Sequence, residues 1–591
     1  MKRTSLNMTI LLIVLMLFLT ACDLGGGGGS TTTGGIPDNA IQISIVYAPE
    51  SDLYMPQVMA DFNRAYAEGR NPITNQPLAQ GERPIYITGD DGSSGTVMQG
   101  IVNAMIAPNN ENVARPTIFA PSVSHWLALA NYQSGRQIFD LSAAQPTALA
   151  PVVMAIWESR LQAIRDTVGY DDIGWEELLQ VLNSPNGWAD YGIPNGRRTV
   201  YYGHTDPLIS STALSTLIAE FYAAARSDGF TGRRLGLEQV NDTEVQQGVR
   251  DIEELIRHYS RRTTEFVEYI AQGPEYLDFV ALEENDLIRI NRGQTQVQPP
   301  ERLVALYPRE GTFWHEHPFG IVQLDEAQGG WTTAEQREAA RVFTEYVLTP
   351  TVQQTIMSFN FRPANPDVPL DFPFVPENGV TVEGPSTILD VPQPEVIAAI
   401  QQSWALVKKQ ADILMVMDIS GSMQTDDKIG QAVEAALAFL DGMESTNRVG
   451  LMLFNDEIDY RVELDTYETI QNRLYSNIRG LRADGGTELY GALLEAVNIM
   501  SEEPDEDRIR AVILLSDGAH TGDSGTTLNQ VTAAINATRD ALNPVIVIPI
   551  AYGEDADINT LSAIARASQT RVQSGDADTI TSLLDIIGSY F

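Results

Sequence analysis

The chain has 591 residues, 43% of them apolar, which is more than one hydrophobic core holds and enough to fold two or three domains of ordinary size. Its 78 Asp and Glu against 38 Lys and Arg give a formal charge of -40. Such a field opposes phosphate backbones and anionic headgroups, so nucleic acid is excluded as a partner.

The chain opens MKRTSLNMTILLIVLMLFLTAC: Lys2 and Arg3, an apolar run from Ile10 to Leu19, then small residues before a cysteine, the layout of an export signal. The run is too short to predict a membrane-spanning helix. Leu19-Thr20-Ala21-Cys22 resembles the bacterial lipobox. That resemblance implies cleavage before Cys22, a lipid on its sulfur, and a mature protein anchored to the cell membrane from the extracytoplasmic side. Cys22 is the only cysteine in the chain, so an exported form has no intrachain disulfide to make. Residues 1–21 therefore read as a lipoprotein signal peptide. Residues 22–40, rich in Gly, Ser and Thr, bury too little apolar surface to order themselves and read as a tether.

From 41 to 385, apolar runs and helical patterns alternate. IQISIVYAPE reads as a strand, MPQVMADFNRAYAEG as the helix after it, and PIYITGDDGSSGTVMQGIVNAMIA as strand, glycine-serine loop and helix. The expected class is α/β. PTIFAPSVSHWLALAN, IGWEELLQVLNS, YYGHTDPLISSTALSTLIAEFYAAA and LVALYPREGTFWHEHPFGIV follow in an order that resembles bacterial extracellular solute-binding proteins, the two-lobed receptors of ABC importers. The resemblance implies a periplasmic-binding-protein-like region of two lobes with a small solute between them. On it, the candidate ligand-binding residues are Ser93, Ser94, Thr96, Ser122, Trp126, Thr205, Asp206, Ser210, Ser211 and Thr212. Hydroxyls and backbone N–H groups at helix starts suit an oxyanion or carboxylate, while Trp and Asp equally suit a sugar.

Residues 386–410 contain Pro392 and Pro394 and then EVIAAIQQSWALV, a linker with one helix. Beyond it, 411–591 is regular: DILMVMD, RVGLMLF, IRAVILLSD and PVIVIPIAYG alternate with amphipathic stretches such as KIGQAVEAALAFLDGM, in which Ile429, Val433, Leu437 and Leu440 recur at helical spacing. Continuous apolar strands between such helices predict a doubly wound, Rossmann-like parallel sheet. In that fold the loops at the carboxyl ends of the strands build the site. Asp418, Ser420 and Ser422 lie in one such loop, Asp517 follows another strand, and Thr487 sits in the glycine-led ADGGTELYG. Two carboxylates and three hydroxyls form an all-oxygen set suited to Mg2+, with Mn2+ or Ca2+ possible.

DISGSM, GGTELYGAL and LLSDG resemble the three parts of the metal-ion-dependent adhesion site of von Willebrand factor A domains. Carried over, Ser420, Ser422 and Thr487 would hold the ion through hydroxyls, and Asp418 and Asp517 directly or through water. Lys428 stands where many bacterial members have a lysine. Neutral hydroxyl ligands leave the ion net positive, so an open position would attract a Glu or Asp of a protein partner.

Other motifs do not make an enzyme. GDSG at 522–525 has His520 nearby but no base-orienting carboxylate. Trp314-His315-Glu316-His317 lacks HExxH spacing and reads as a polar loop rather than zinc, and the acidic runs DEIDYRVELD and SEEPDEDR read as solvated faces. The expectation is a non-enzymatic, lipid-anchored protein that binds an acidic protein partner through Mg2+, with a solute-binding-like region beside it. The alternatives are a receptor that delivers solute to an ABC permease, and a chelatase or ATPase accessory, which the export signal disfavours.

Overall fold

The computed structural model describes residues 36–37, 39–106, 114–193, 200–260, 263–502, 508–517, 520–522, 524–538, 544–552, 556–568, 570 and 572–575. The signal peptide, Cys22 and most of the 22–40 tether lie outside them. Among the described residues no helix is long and apolar enough to cross a membrane.

Three sheets carry the chain. The first contains β1 (Ile41–Tyr47), β2 (Ile85–Asp91), β3 (Ile118–Ala120) and β4 (Gln145–Pro146). The second contains β5 (Ala148–Trp157), β6 (Tyr202–Thr205), β7 (Ile256–Ser260), β8 (Phe279–Glu283), β9 (Leu303–Leu306) and β10 (Trp314–His315). β11 (Pro318–Ile321) returns to the first sheet, and β12 (Arg362–Pro363) pairs with β5. The orders are β2-β1-β3-β11-β4 and β10-β5-β8-β6-β7, so each sheet is the centre of one α/β lobe. β1 forms because IQISIVY alternates β-branched and polar residues, with Ile43, Ile45 and Tyr47 buried.

Two strand pairs tie the lobes together. In β5, Ala148 and Ala150 belong to the core of the first lobe, whereas Val153 to Trp157 belong to that of the second. The opposite crossing is made by β10, which pairs with β5, and β11, which pairs with β3. Residues at these crossings are buried between two cores, where an ionisable side chain needs a partner.

The helix Pro394–Val407 packs on the helices His125–Ser134, Ser211–Ser227, Leu237–Val240 and Thr243–Glu253. Its Trp404 stacks on His204, with ring centroids 5.7 Å apart, and meets Tyr259 edge-on at 5.3 Å. The third sheet begins just after this helix, at Gln410. Lys409 Nζ donates to the Glu254 carbonyl at 2.6 Å, and Lys408 pairs with Glu444 at 3.1 Å, so the junction is held from both sides.

The third sheet comprises β13 (Gln410–Asp418), β14 (Arg448–Phe454), β15 (Ile458–Thr466), β16 (Arg508–Ser516), β17 (Val545–Tyr552) and β18 (Gln573–Gly575), in the order β15-β14-β13-β16-β17-β18. All pairings are parallel except β14 with β15. The doubly wound class expected for 411–591 is the class observed. The run DEIDYRVELD is not merely a solvated face: it forms the antiparallel edge strand β15. Ile458, Tyr460 and Leu464 pack on one core, while Val462, next to bulges in the pairing, joins the other. At the amino end of β13, buried Asp412 accepts from Arg448 Nε at 2.7 Å and Arg508 Nε at 2.6 Å, clasping three adjacent strands.

Candidate functional site

After β13 the chain turns to β14 on one side, and after β16 it continues to β17 on the other. The crevice between the carboxyl ends of β13 and β16 is thus a topological switch point. Asp418 is the last residue of β13, and Asp517 directly follows β16. Both are buried, Asp418 completely. Ser420 N donates to Asp418 Oδ1 at 2.8 Å, and Ser516 Oγ donates to Asp418 Oδ2 at 2.6 Å, which fixes the carboxylate plane. Burial, with Asp517 adding to it, pushes the Asp418 carboxyl up to about 6 although these bonds oppose the rise.

The hydroxyls gather at the same end. Ser420 Oγ and Ser422 Oγ lie 3.0 Å apart. The loop bearing Thr487 is laced to this one by Gly421 N to Gly485 O at 2.9 Å and Asp484 N to Ile419 O at 2.8 Å. A β-carbon on Gly421 would stand 3.2 Å from the Gly485 carbonyl, so the glycine permits this approach. Thr487 is buried; its N–H donates to Thr521 Oγ1 at 2.9 Å, and its carbonyl accepts from the N–H of Thr521 at 3.0 Å. Asp517 Oδ1 is buried without a hydrogen-bond partner, and Lys428 Nζ lies 3.9 Å from Oδ2. Five oxygen-bearing side chains thus end at one sheet edge, with an orphaned carboxylate oxygen among them. The donor set fits a hard divalent cation.

The expected cleft residues also come together, but largely bonded to one another. Ser122 N donates to Ser94 Oγ at 3.4 Å, Trp126 Nε1 to Ser211 Oγ at 2.9 Å, and Gly95 N to the Ile209 carbonyl at 3.0 Å. Ser210 caps the helix Ser211–Ser227 by accepting from Ala213 N at 3.3 Å, and its hydroxyl meets Thr263 Oγ1 at 3.0 Å. Asp206 Oδ1 accepts from Leu208 N at 2.7 Å. Ser93 and Thr205 are buried, and Thr212 Oγ1 is buried with no hydrogen-bond partner. Thr96 alone among the ten is exposed; it lines an open cavity of about 560 Å³ with Gly95, Gln99, Asn103, Leu208 and Gln401.

A second polar cluster escaped the sequence. At the crossings between lobes, Glu283, which ends β8, meets His315 Nδ1 at 2.7 Å and His317 Nε2 at 3.2 Å. All three are buried, so WHEH is an interior ion cluster and not a polar surface loop. Ser215 Oγ lies 2.8 Å from His315 Nε2, Ser51 Oγ lies 3.2 Å from His317 Nδ1, and Ser122 Oγ donates to Glu50 Oε2 at 3.2 Å. Burial would raise the Glu283 carboxyl, but His317 and His315 hold it down at about 2. Burial and then the charge of Glu283 push Glu50 up to about 7. Nearby, both side-chain atoms of Asn285 and both ring nitrogens of His125 are buried without partners. The signal lay in FVALEEND, where an apolar strand runs into carboxylates much as DILMVMD does.

The serine of the GDSG segment is bound elsewhere. Ser524 Oγ donates to Glu488 Oε1 at 2.6 Å, while His520 stacks on Tyr490 with centroids 3.9 Å apart; Asp523 lies outside the described residues.

A family model described as von Willebrand factor type A domain matches residues 413–520, a span that contains all five oxygen donors. Over 178 residues, 29% of the chain, the sequence is 27% identical to calcium-activated chloride channel regulator 1 of Bos taurus, of which it spans 18%. Over 118 residues, 19% of the chain, it is 32% identical to inter-alpha-trypsin inhibitor heavy chain H4 of Homo sapiens, of which it spans 12%. The chain therefore spans less than a fifth of the length of these curated relatives. Among solved structures, a periplasmic thiamin binding protein is similar over 64% of this chain and 97% of its own, at 11% identity and a TM-score of 0.40. Residues 413–520 are a von Willebrand factor type A domain, carried in a longer chain behind two α/β lobes.

Proposed function

We propose that this chain is a lipid-anchored, extracytoplasmic and non-enzymatic binding protein whose type A domain uses a bound Mg2+ to engage a Glu or Asp of a protein partner. Asp418, Ser420, Ser422, Thr487 and Asp517 would hold the ion. When bound, the ion supplies a positive centre for an outside carboxylate. The residues do the rest: Ser420 N–H and Ser516 Oγ orient Asp418, and the glycine contact keeps the Thr487 loop against the Ser420 loop. The observation that carries this reading is Asp517 Oδ1, buried and without a hydrogen-bond partner beside the converging hydroxyls. The export signal and Cys22 support the anchor.

Calorimetric titration of the purified full chain with Mg2+ tests it. Saturable binding is expected, weakened about tenfold or more in Thr487→Ala, which corresponds to roughly 1.4 kcal/mol or more. Absence of binding in the native chain would remove the mechanism.

A second reading, capture of a small solute between the lobes, with delivery to an ABC permease as one use of it, is favoured by a specific observation. Polar atoms of His125, Asn285 and Thr212 are buried without hydrogen-bond partners, and His125 packs edge-on against Phe313, just before β10, at 5.4 Å. Asn285→Ala is expected to leave the fold intact and to abolish any solute-induced rise in melting temperature in a screen of sugars, carboxylates and oxyanions. A rise that persists unchanged would place the solute elsewhere.

A further inference from the structure

We propose that His204, Glu220 and Glu253 form a second, wholly interior metal site, for a divalent transition ion of the zinc type, beneath the helix that leads into the type A domain. The three side chains come from β6, the helix Ser211–Ser227 and the end of the helix Thr243–Glu253. They are 1%, 0% and 0% exposed, and one donor atom from each lies within 4.8 Å of the other two.

Three atoms here have no hydrogen-bond partner: His204 Nε2, Glu220 Oε2 and Glu253 Oε1. The imidazole tautomer follows from its other nitrogen. His204 Nδ1 lies 2.6 Å from the Thr205 carbonyl, an oxygen that can only accept, so Nδ1 carries the proton. Nε2 then presents a lone pair, 4.0 Å from Glu220 Oε1. A lone pair and two carboxylates facing one another in a dry interior repel unless something positive stands between them. Among the described residues no Lys or Arg forms an ion pair with Glu220 or Glu253. One dication balances the two carboxylates, and a set of one imidazole nitrogen and two carboxylate oxygens suits zinc or a neighbouring transition ion better than magnesium.

The surroundings resemble the outer shell such sites have. Tyr202 OH donates to Glu220 Oε1 at 3.2 Å and Tyr259 OH to Glu253 Oε2 at 2.7 Å, leaving the other oxygen of each carboxylate without a hydrogen-bond partner. A ligand histidine held by a carbonyl through its far nitrogen is the arrangement that fixes tautomer and ring direction. Trp404 covers the ring of His204. An ion at this place would staple one strand and two helices under the seat of the linker helix.

The test uses the full chain, stripped with chelator, returned to excess Mg2+ to fill the type A site, then given Zn2+ and dialysed. One retained zinc per chain is expected by elemental analysis, with a rise in melting temperature, and Co2+ in its place should give a visible ligand-field band. Glu253→Gln and Glu220→Gln, which keep the side-chain shape, should each lose the zinc and the thermal rise while retaining native circular dichroism. No zinc and no cobalt band in the folded native chain would overturn the proposal, leaving a proton shared between the carboxylates. Zinc retained equally by both variants would also overturn it. Should either variant fail to fold, nitrogen in the first shell of the cobalt or zinc form of the native chain, read by X-ray absorption, decides the matter.

Discussion

In chelator at neutral pH, Asp418→Asn is expected to make the protein more stable, by about 2–3 kcal/mol, while removing its response to Mg2+. The native carboxyl is raised from 3.8 to about 6, with burial as the main cause. For an acid whose folded value is raised, the neutral form is the one that fits. Its favourable state is complete below the ordinary value and is lost as pH rises through about 6, so above that pH the charge costs roughly 3 kcal/mol. Asparagine avoids this charge. Its oxygen can still accept from Ser420 N, and its amide can donate to Ser516 Oγ, which then acts as acceptor. The gap between variant and native melting should vanish near pH 4, open through pH 6, and level off above. Mg2+ at a hundred times its Kd should close the gap and at a thousand times should reverse the order, since it adds about 2.7 and then about 4.1 kcal/mol to the native chain and nothing to the variant. Denaturant titrations with chelator and with Mg2+ check both limbs. If Asp418→Asn proves destabilising at neutral pH in chelator, the buried charge is already balanced without an ion.

That trade explains why the candidate metal loop stands out in the sequence. A parallel strand covered on both faces is a continuous apolar run, so a carboxylate at its end interrupts the pattern visibly, as in DILMVMD and AVILLSD. Strand order then brings the two ends together without further information, because β13 and β16 are neighbours at the switch point. Thr487 was legible for a different reason: two glycines before it announce a loop that must approach another backbone closely. The interlobe cluster had no such local signature. Glu50, Ser122, Glu283, His315 and His317 are brought together by the two crossings between lobes, and only the pairing of β10 with β5 and β11 with β3 places them side by side. His315 ends β10 and His317, at φ 42°, turns the chain just before β11, so WHEH held half of the answer, but its partner lay about 30 residues upstream in FVALEEND. β15 is hard to read in the sequence because its acidic residues mask the period-two alternation of Ile458, Tyr460, Val462 and Leu464.

Glu283→Ala should be the most damaging single change in the lobes, costing about 3–5 kcal/mol at pH 6, because it leaves two buried histidines without the carboxylate that both share. The pH dependence of the native protein should carry the mark of the same group. Glu283 is lowered from 4.5 to about 2, so its contribution is whole above 4.5 and is lost as pH falls through 2. For His317, burial alone would lower the ring, but Glu283 more than offsets it and the value is raised. Its contribution is therefore whole below 6.5 and is lost as pH rises through the folded value. Glu50 works against the pair at neutral pH: raised from 4.5 to about 7, its charge becomes a growing liability across that interval. The three directions together place the optimum of this cluster on the acid side, near pH 5, while His125, which burial holds down at about 3, opposes them with a loss that grows as pH falls below 6.5. Unfolding of the native chain and of Glu283→Ala, followed by tryptophan fluorescence from pH 2 to pH 8, separates the contributions. The variant should lose the Glu283 share of the rise between pH 2 and pH 4.5, keeping the share due to His125, and Glu50→Gln should remove the liability that grows between pH 4.5 and pH 7. A variant that keeps the native profile would show that the histidines are held neutral by Ser51 and Ser215 and that the carboxylate is not their counter-ion.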